Sequence, residues 1–187
     1  MTFAVLAEDR SDVDALVVLV KRISNRANAT VYRKGFSGCG ELLNKASSHI
    51  LDFALQGATH FIICHDSDGN DPENIRQAVR KAILPKLNLS DYTHGIIVPV
   101  QELEAWMIAD EEAIKRVIPS LDIKPVLQPE SVKSPKEWLI SESRKGRSRP
   151  LYAPATYNAR VAEQLDVDKV KKKCRSFAEL VDFISQA

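Results

Sequence analysis

Carboxylates recur in this sequence directly after short apolar runs. Glu8 and Asp9 follow Phe3-Ala4-Val5-Leu6-Ala7, Asp66 and Asp68 follow His60-Phe61-Ile62-Ile63-Cys64, and Glu102 and Glu104 follow Gly95-Ile96-Ile97-Val98-Pro99-Val100. Residues two apart in an extended strand share a face, so Asp66 and Asp68 are expected to point the same way. Like charges held together raise one another's pKa and cost energy, and a bound cation removes that cost. Mg²⁺ takes oxygen donors, commonly one or two carboxylates with water and a substrate phosphate, and Mn²⁺ suits the same donors. Such an ion polarises a phosphoryl oxygen and activates water. The pattern points to Glu8, Asp66, Asp68, Glu102 and Glu104 as a catalytic set. Asp66 and Asp68 are expected to hold the metal with Glu104, or Glu102, as a further ligand; Glu8 is expected as a ligand or as general acid or base, and water as the nucleophile. Single acids after strands also serve as turn formers and helix caps. Recurrence at three separate strand ends is what favours one shared site.

These residues have to be positioned by the elements before and after them. Apolar runs at 3–7, 29–34, 60–64 and 95–100 read as buried strands. Between them, apolar residues at helical spacing predict helices: Val13, Leu16, Val17, Val20 and Ile23, capped by Ser11 or Asp12; Leu42, Leu43, Ala46, Ile50, Phe53 and Ala54; and Ile75, Val79, Ala82 and Ile83, begun by Asp71 as cap and Pro72 in the first turn. Leu103, Trp106, Met107, Ile114, Val117 and Ile118 predict one further helix. Alternating strands and helices imply an open, mainly parallel four-stranded α/β sheet flanked by helices. In such sheets, sites lie beyond the carboxyl ends of the strands.

Residues 1–118 are read as this α/β core and residues 119–187 as a helical C-terminal appendage. Three prolines in 119–133 mark a connector. Ser134-Pro135-Lys136-Glu137 and Ser176 with Glu179 read as capping boxes. Arg144, Lys145, Arg147 and Arg149 form a basic loop suited to a phosphate backbone. Lys171, Lys172, Lys173 and Arg175 make a second basic cluster, for which a solvated surface is the plain reading. His65 is the one histidine beside the acidic set. The glycine-rich turn Gly35 to Gly40 has neither the lysine nor the spacing of a nucleotide-binding loop.

The 187 residues, 44% hydrophobic and 27% charged, suit one folded domain. The net charge of +1 does not announce a polyanion partner, so nucleic-acid binding has to come from local asymmetry. No apolar run is long enough for a membrane span and the N-terminus lacks the pattern of a signal peptide. Three widely spaced cysteines argue against a disulfide framework or zinc ribbon. A reducing cytoplasm, with no membrane partner, is the expected setting.

Glu8 after a first strand and Asp66-x-Asp68 after a later one resemble the TOPRIM pattern of topoisomerases, primases and OLD-family nucleases. A closer likeness is to the DUF4276 family of small bacterial proteins. It is carried by Ala7-Glu8-Asp9-Arg10-Ser11-Asp12, His65-Asp66-Ser67-Asp68, and Val98-Pro99-Val100-Gln101-Glu102-Leu103-Glu104-Ala105-Trp106-Met107-Ile108-Ala109-Asp110. The C-terminal Lys173-Cys174-Arg175-Ser176-Phe177 and Leu180 extend it over most of the chain. The TOPRIM resemblance implies Glu8 as general acid or base and Asp66 and Asp68 as Mg²⁺ ligands. Asp9 stands where many TOPRIM proteins have glycine. The expected function is a Mg²⁺- or Mn²⁺-dependent nuclease or related phosphodiester-processing enzyme acting on nucleic acid. The resemblance also implies a setting in anti-phage modules, often encoded beside an ATPase. The alternative is a non-catalytic TOPRIM-like subunit that docks on such an ATPase.

Overall fold

The runs at 3–7 and 60–64 are apolar on both faces and pair at the centre of one sheet, with the less buried segments 31–35 and 93–97 at its edges. The computed structural model describes residues 1–87 and 92–187. Strands β1 (Phe3–Ala7), β2 (Val31–Gly35), β3 (His60–Cys64) and β4 (Thr93–Ile97) form a four-stranded, all-parallel sheet in the order β2-β1-β3-β4. From β1 the chain first steps one way, to β2, and then crosses back to β3 on the other side. The topological switch point therefore lies between β1 and β3. Their register, Phe3 beside His60 and Leu6 beside Ile63, brings the residues after each strand side by side.

The two faces bury different helices. Phe3, Val5, Ala7, Ile62, Cys64 and Ile97 face one apolar cluster, and Ala4, Leu6, Phe61, Ile63 and Ile96 face another. The second cluster is closed by α2 (Cys39–Leu55) and α3 (Pro72–Ile83). The first is closed by α1 (Arg10–Ile23), α4 (Glu104–Ile108), α5 (Glu111–Val117) and the C-terminal helices α6 (Pro135–Arg144), α7 (Pro154–Gln164), α8 (Val167–Lys173) and α9 (Arg175–Ser185). The segment 119–187 is thus helical, and its Leu139, Tyr152, Val161, Phe177 and Leu180 share one core with the sheet. Arg22 donates to the carbonyls of Ala162 and Leu165, locking α1 to the end of α7. Gly95 in β4 matters sterically: a Cβ there would stand 2.8 Å from the ring of Phe183, so only glycine lets α9 approach this strand. Among the described residues no helix is long and apolar enough to cross a membrane.

Several local expectations are corrected. Strand β2 is shifted to 31–35, and β4 runs from 93 to 97, not to Val100, because Pro99 has no N–H for the ladder. The cap of α1 is Asp9, which accepts from the Asp12 N–H and the Ser11 hydroxyl; neither Ser11 nor Asp12 is the cap. The single helix expected from Leu103 to Ile118 breaks at Ala109-Asp110, where the buried Asp110 carboxylate accepts from the Asp166 N–H (2.8 Å) and pairs with Lys169 (2.9 Å). Neither capping box forms. Ser134 is in the left-handed region (φ 46°) and makes no side-chain cap bond. Ser176 instead donates to Glu130, while Glu179 pairs with Arg76. Tertiary partners outcompete the local motif at both places.

Candidate functional site

The switch point between β1 and β3 is lined by acids. Glu8 leaves the end of β1, and its Oε1 accepts both the Asp66 N–H (2.9 Å) and the ring N–H of His65 at Nδ1 (2.9 Å). That nitrogen also lies 2.6 Å from the Asp66 carbonyl. His65 is buried, which by itself lowers its pKa, but the hydrogen bond and charge of Glu8 outweigh burial and raise it. A ring held this way is an anchor for Glu8.

The 65–68 segment is tied to the one that leads into α4. The N–H groups of His65, Ser67 and Asp68 donate to the carbonyls of Ile97, Pro99 and Gln101, and the Ser67 hydroxyl donates to the Val100 carbonyl. Pairing between β3 and β4 therefore continues in irregular form past both strand ends. It delivers Asp66 and Glu104 to the same crevice. Asp66 is half-buried, and its pKa is pushed well up by burial and by Asp12, Glu104, Glu8 and Glu102. Glu104 is fully buried and its pKa is likewise raised by burial.

Asp68 and Glu102 stand at the rim. Extended geometry ends before Asp68, which adopts a left-handed conformation (φ 49°) and is exposed, so alternation along a strand does not position it. Its charge still reaches His65 and Glu102. One oxygen of Glu102 accepts from the backbone N–H of Lys136 (2.8 Å), in the first turn of α6. Glu102 thus serves as a carboxylate at that helix terminus, where the amides favour negative charge.

Two further members of the site come from α1 and α6. Asp12, one turn beyond Glu8, is 4% exposed and packs among the acids; burial and then the charges of Glu104 and Asp9 raise its pKa well above the carboxylate range. The signal for it was present in the sequence: Asp12 lies four residues before Leu16, on the stripe of α1 that the apolar residues bury. Lys136 projects its ammonium to 3.5 Å from Asp9 Oδ2, and the acids around it raise its pKa against the effect of burial. Nothing in the local sequence marks it, because α6 meets the crevice only through packing against α4.

The donor chemistry suits a hard divalent cation. Asp12 Oδ1 and Glu104 Oε2 are buried oxygens without a hydrogen-bond partner. An unserved buried polar atom costs about 1–3 kcal/mol, and carboxylate oxygens are what Mg²⁺ takes. Among the described residues, however, no three His, Cys, Asp or Glu side chains stand grouped as a ready metal site. Ligation calls for side-chain rotation that draws the carboxylates inward.

Arg144, at the end of α6, and Lys145, Arg147 and Arg149, on the loop between α6 and α7, are all exposed. Lys145 pairs with Glu142 and Arg147 donates to the Ser120 carbonyl, which leaves Arg144 and Arg149 the more open of the four. In the second basic cluster Lys171 pairs with Asp182 and Lys173 donates to the Ala109 and Val126 carbonyls, while Lys172 and Arg175 are exposed.

Fold and site together define a parallel α/β protein with a carboxylate cluster at its switch point. Residues 7–185 match the family described as Domain of unknown function (DUF4276), and the chain belongs to that family. No curated protein and no solved structure matches it.

Proposed function

We propose that this chain is a Mg²⁺- or Mn²⁺-dependent phosphodiester hydrolase of nuclease type, acting on nucleic acid. The observation that carries the reading is the convergence of Glu8, Asp12, Asp66 and Glu104 on the β1–β3 switch point, with two buried carboxylate oxygens lacking partners. The TOPRIM resemblance supports it, since Glu8 and the Asp66-x-Asp68 segment follow the first and third strands.

Asp66, Glu104 and Asp12 would hold the cation, with Asp68 and Glu102 reaching it from the rim. When bound, the ion polarises a phosphoryl oxygen and makes a bound water more acidic. Glu8, kept in place by the Asp66 amide and His65, accepts a proton from the attacking water. Lys136 lies on the same acids and offers positive charge to a phosphate. The basic loop grips the backbone of the substrate. An anti-phage role beside an ATPase is the setting that the family resemblance suggests.

One observation favours the alternative of a non-catalytic, ATPase-docking subunit. Lys136 and His65 already neutralise part of the cluster, as in an internal ion network. Cleavage assays on single- and double-stranded DNA and on RNA, with Mn²⁺ or EDTA, separate the two. The enzyme reading expects Mn²⁺-dependent cleavage that Glu8→Gln abolishes while nucleic-acid affinity survives. Replacing Arg144, Lys145, Arg147 and Arg149 with alanine should instead weaken binding and flatten its salt dependence. Absence of cleavage on every substrate, together with no Mn²⁺-induced rise in melting temperature, favours the docking subunit.

A further inference from the structure

Glu104 is served by a chain of side chains that has no part in the acidic crevice itself. Its Oε1 accepts from Asn158 Nδ2 at 3.0 Å, while Oε2 is left unpartnered. Asn158 is fully buried in α7, and its Oδ1 accepts from the hydroxyl of Tyr152, itself 1% exposed. The backbone N–H of Tyr152 donates to Ser143 Oγ (3.0 Å), and Ser143 Oγ donates to the Ile140 carbonyl (2.9 Å). The bond between Tyr152 and Ser143 closes the base of the loop that carries Arg144 to Arg149.

A side-chain amide can face either way, and its direction is set by what it meets. The Glu104 oxygen that faces Asn158 accepts, so Asn158 turns its NH₂ to it. The Tyr152 hydroxyl, donating to Oδ1 from the opposite side, selects that same orientation. A flipped amide would put a carbonyl oxygen against the carboxylate and leave the hydroxyl facing two donors. In the observed arrangement, Glu104 has one oxygen tethered and the other turned free among the acids.

We propose that Asn158, held by Tyr152, is a positioning residue that presents Glu104 Oε2 to a divalent cation. The inference rests on the metal-dependent reading above, and it reaches the cation only through Glu104. It also makes the base of the basic loop and the metal-facing carboxylate neighbours in one hydrogen-bonded series.

The test is Mn²⁺ binding, followed by the electron paramagnetic resonance signal of free Mn²⁺, in the full chain and in Tyr152→Phe and Asn158→Leu. Tyr152→Phe keeps the ring and its packing and removes only the hydroxyl. Outer partners of metal ligands typically set affinity by a factor of 10 or more, so Tyr152→Phe should bind Mn²⁺ roughly tenfold more weakly while circular dichroism shows the fold intact. Asn158→Leu should bind more weakly still. A purely structural role would lower the melting temperature and leave Mn²⁺ affinity unchanged in Tyr152→Phe; that result overturns the proposal. If the wild-type chain binds no Mn²⁺, the functional reading fails, and the orientation of Asn158 is read without metal. One Asn158 side-chain amide proton, donated to a carboxylate, should then resonate downfield by NMR and lose that shift in Tyr152→Phe. An unchanged resonance overturns the positioning role independently of the metal.

Discussion

Asp12 and Glu104 are buried acids that the fold tolerates only at a cost, since each has an oxygen without a partner. Replacing one by its neutral amide removes a buried charge and keeps the shape. Asp12→Asn in metal-free protein should therefore lessen the fall of stability with rising pH, read by urea denaturation at several pH values, and should abolish any stabilisation by Mn²⁺. A destabilised Asp12→Asn would show that the carboxylate is already fully compensated by Lys136. Glu8 and Asp66 were legible in the sequence because charge directly after an apolar run is conspicuous. Asp12, Lys136 and Asn158 were not, for a common reason. Each sits on a helix where a local explanation sufficed, a cap, a capping box or a plain helical position, and only the packing of α1 on the sheet, of α6 on α4 and of α7 on α1 and α4 brings them to the crevice.

At the scale of elements, the four apolar runs disclosed the sheet, and helical spacing disclosed α1, α2, α3 and most of the C-terminal helices. What stayed hidden was set by distant groups. The break between α4 and α5 follows from Asp110 accepting bonds from the Asp166 and Lys169 region. The start of α9 follows from Glu130 accepting the Arg175 and Ser176 amides. Helix α8 went unread because Lys171, Lys172 and Lys173 looked like a charge run when they form its last turn. The seat of α9 on the sheet depends on Gly95. Gly95→Ala should cost about 1–3 kcal/mol, the usual penalty for an overfilled contact. The double variant Gly95→Ala, Phe183→Leu should lose less than the sum of the two single changes, a coupling that a double-mutant cycle by chemical denaturation measures. Additive losses would place the glycine's role elsewhere.

The whole molecule has a pH dependence written into its crevice. Burial and neighbouring acids raise the pKa values of Asp12 and Asp66, and burial raises that of Glu104. The fold thus favours their protonated forms. That stabilisation is full at and below the ordinary carboxylate range and is lost as pH rises through the raised values. His65 acts in the same sense: its contribution is present below the ordinary 6.5 and lost as pH climbs through its raised pKa. Asp9 and Asp110, whose hydrogen bonds outweigh burial, lie below the carboxylate range and so protect the fold only above it. Metal-free protein should accordingly melt at progressively lower temperature as pH rises above the ordinary carboxylate range, and Mg²⁺ or Mn²⁺ should remove much of that decline by binding the native state. A melting temperature that is flat or rising over this interval in EDTA would contradict the burden of charge assigned to the crevice. Within the same molecule, the lacing of residues 65–68 to residues 97–101 has a mechanical meaning. Two segments joined by three backbone bonds move as one plate, so the spacing of Asp66 from Glu104 does not breathe. Movement at the mouth is left to side-chain rotation on the other side, of Asp12 on α1 above all, since Glu8 is itself held by His65 and the Asp66 N–H. Amide hydrogen exchange should report this asymmetry, with the Ser67 and Asp68 amides as slow as those inside β3 and the Arg10 and Ser11 amides exchanging first.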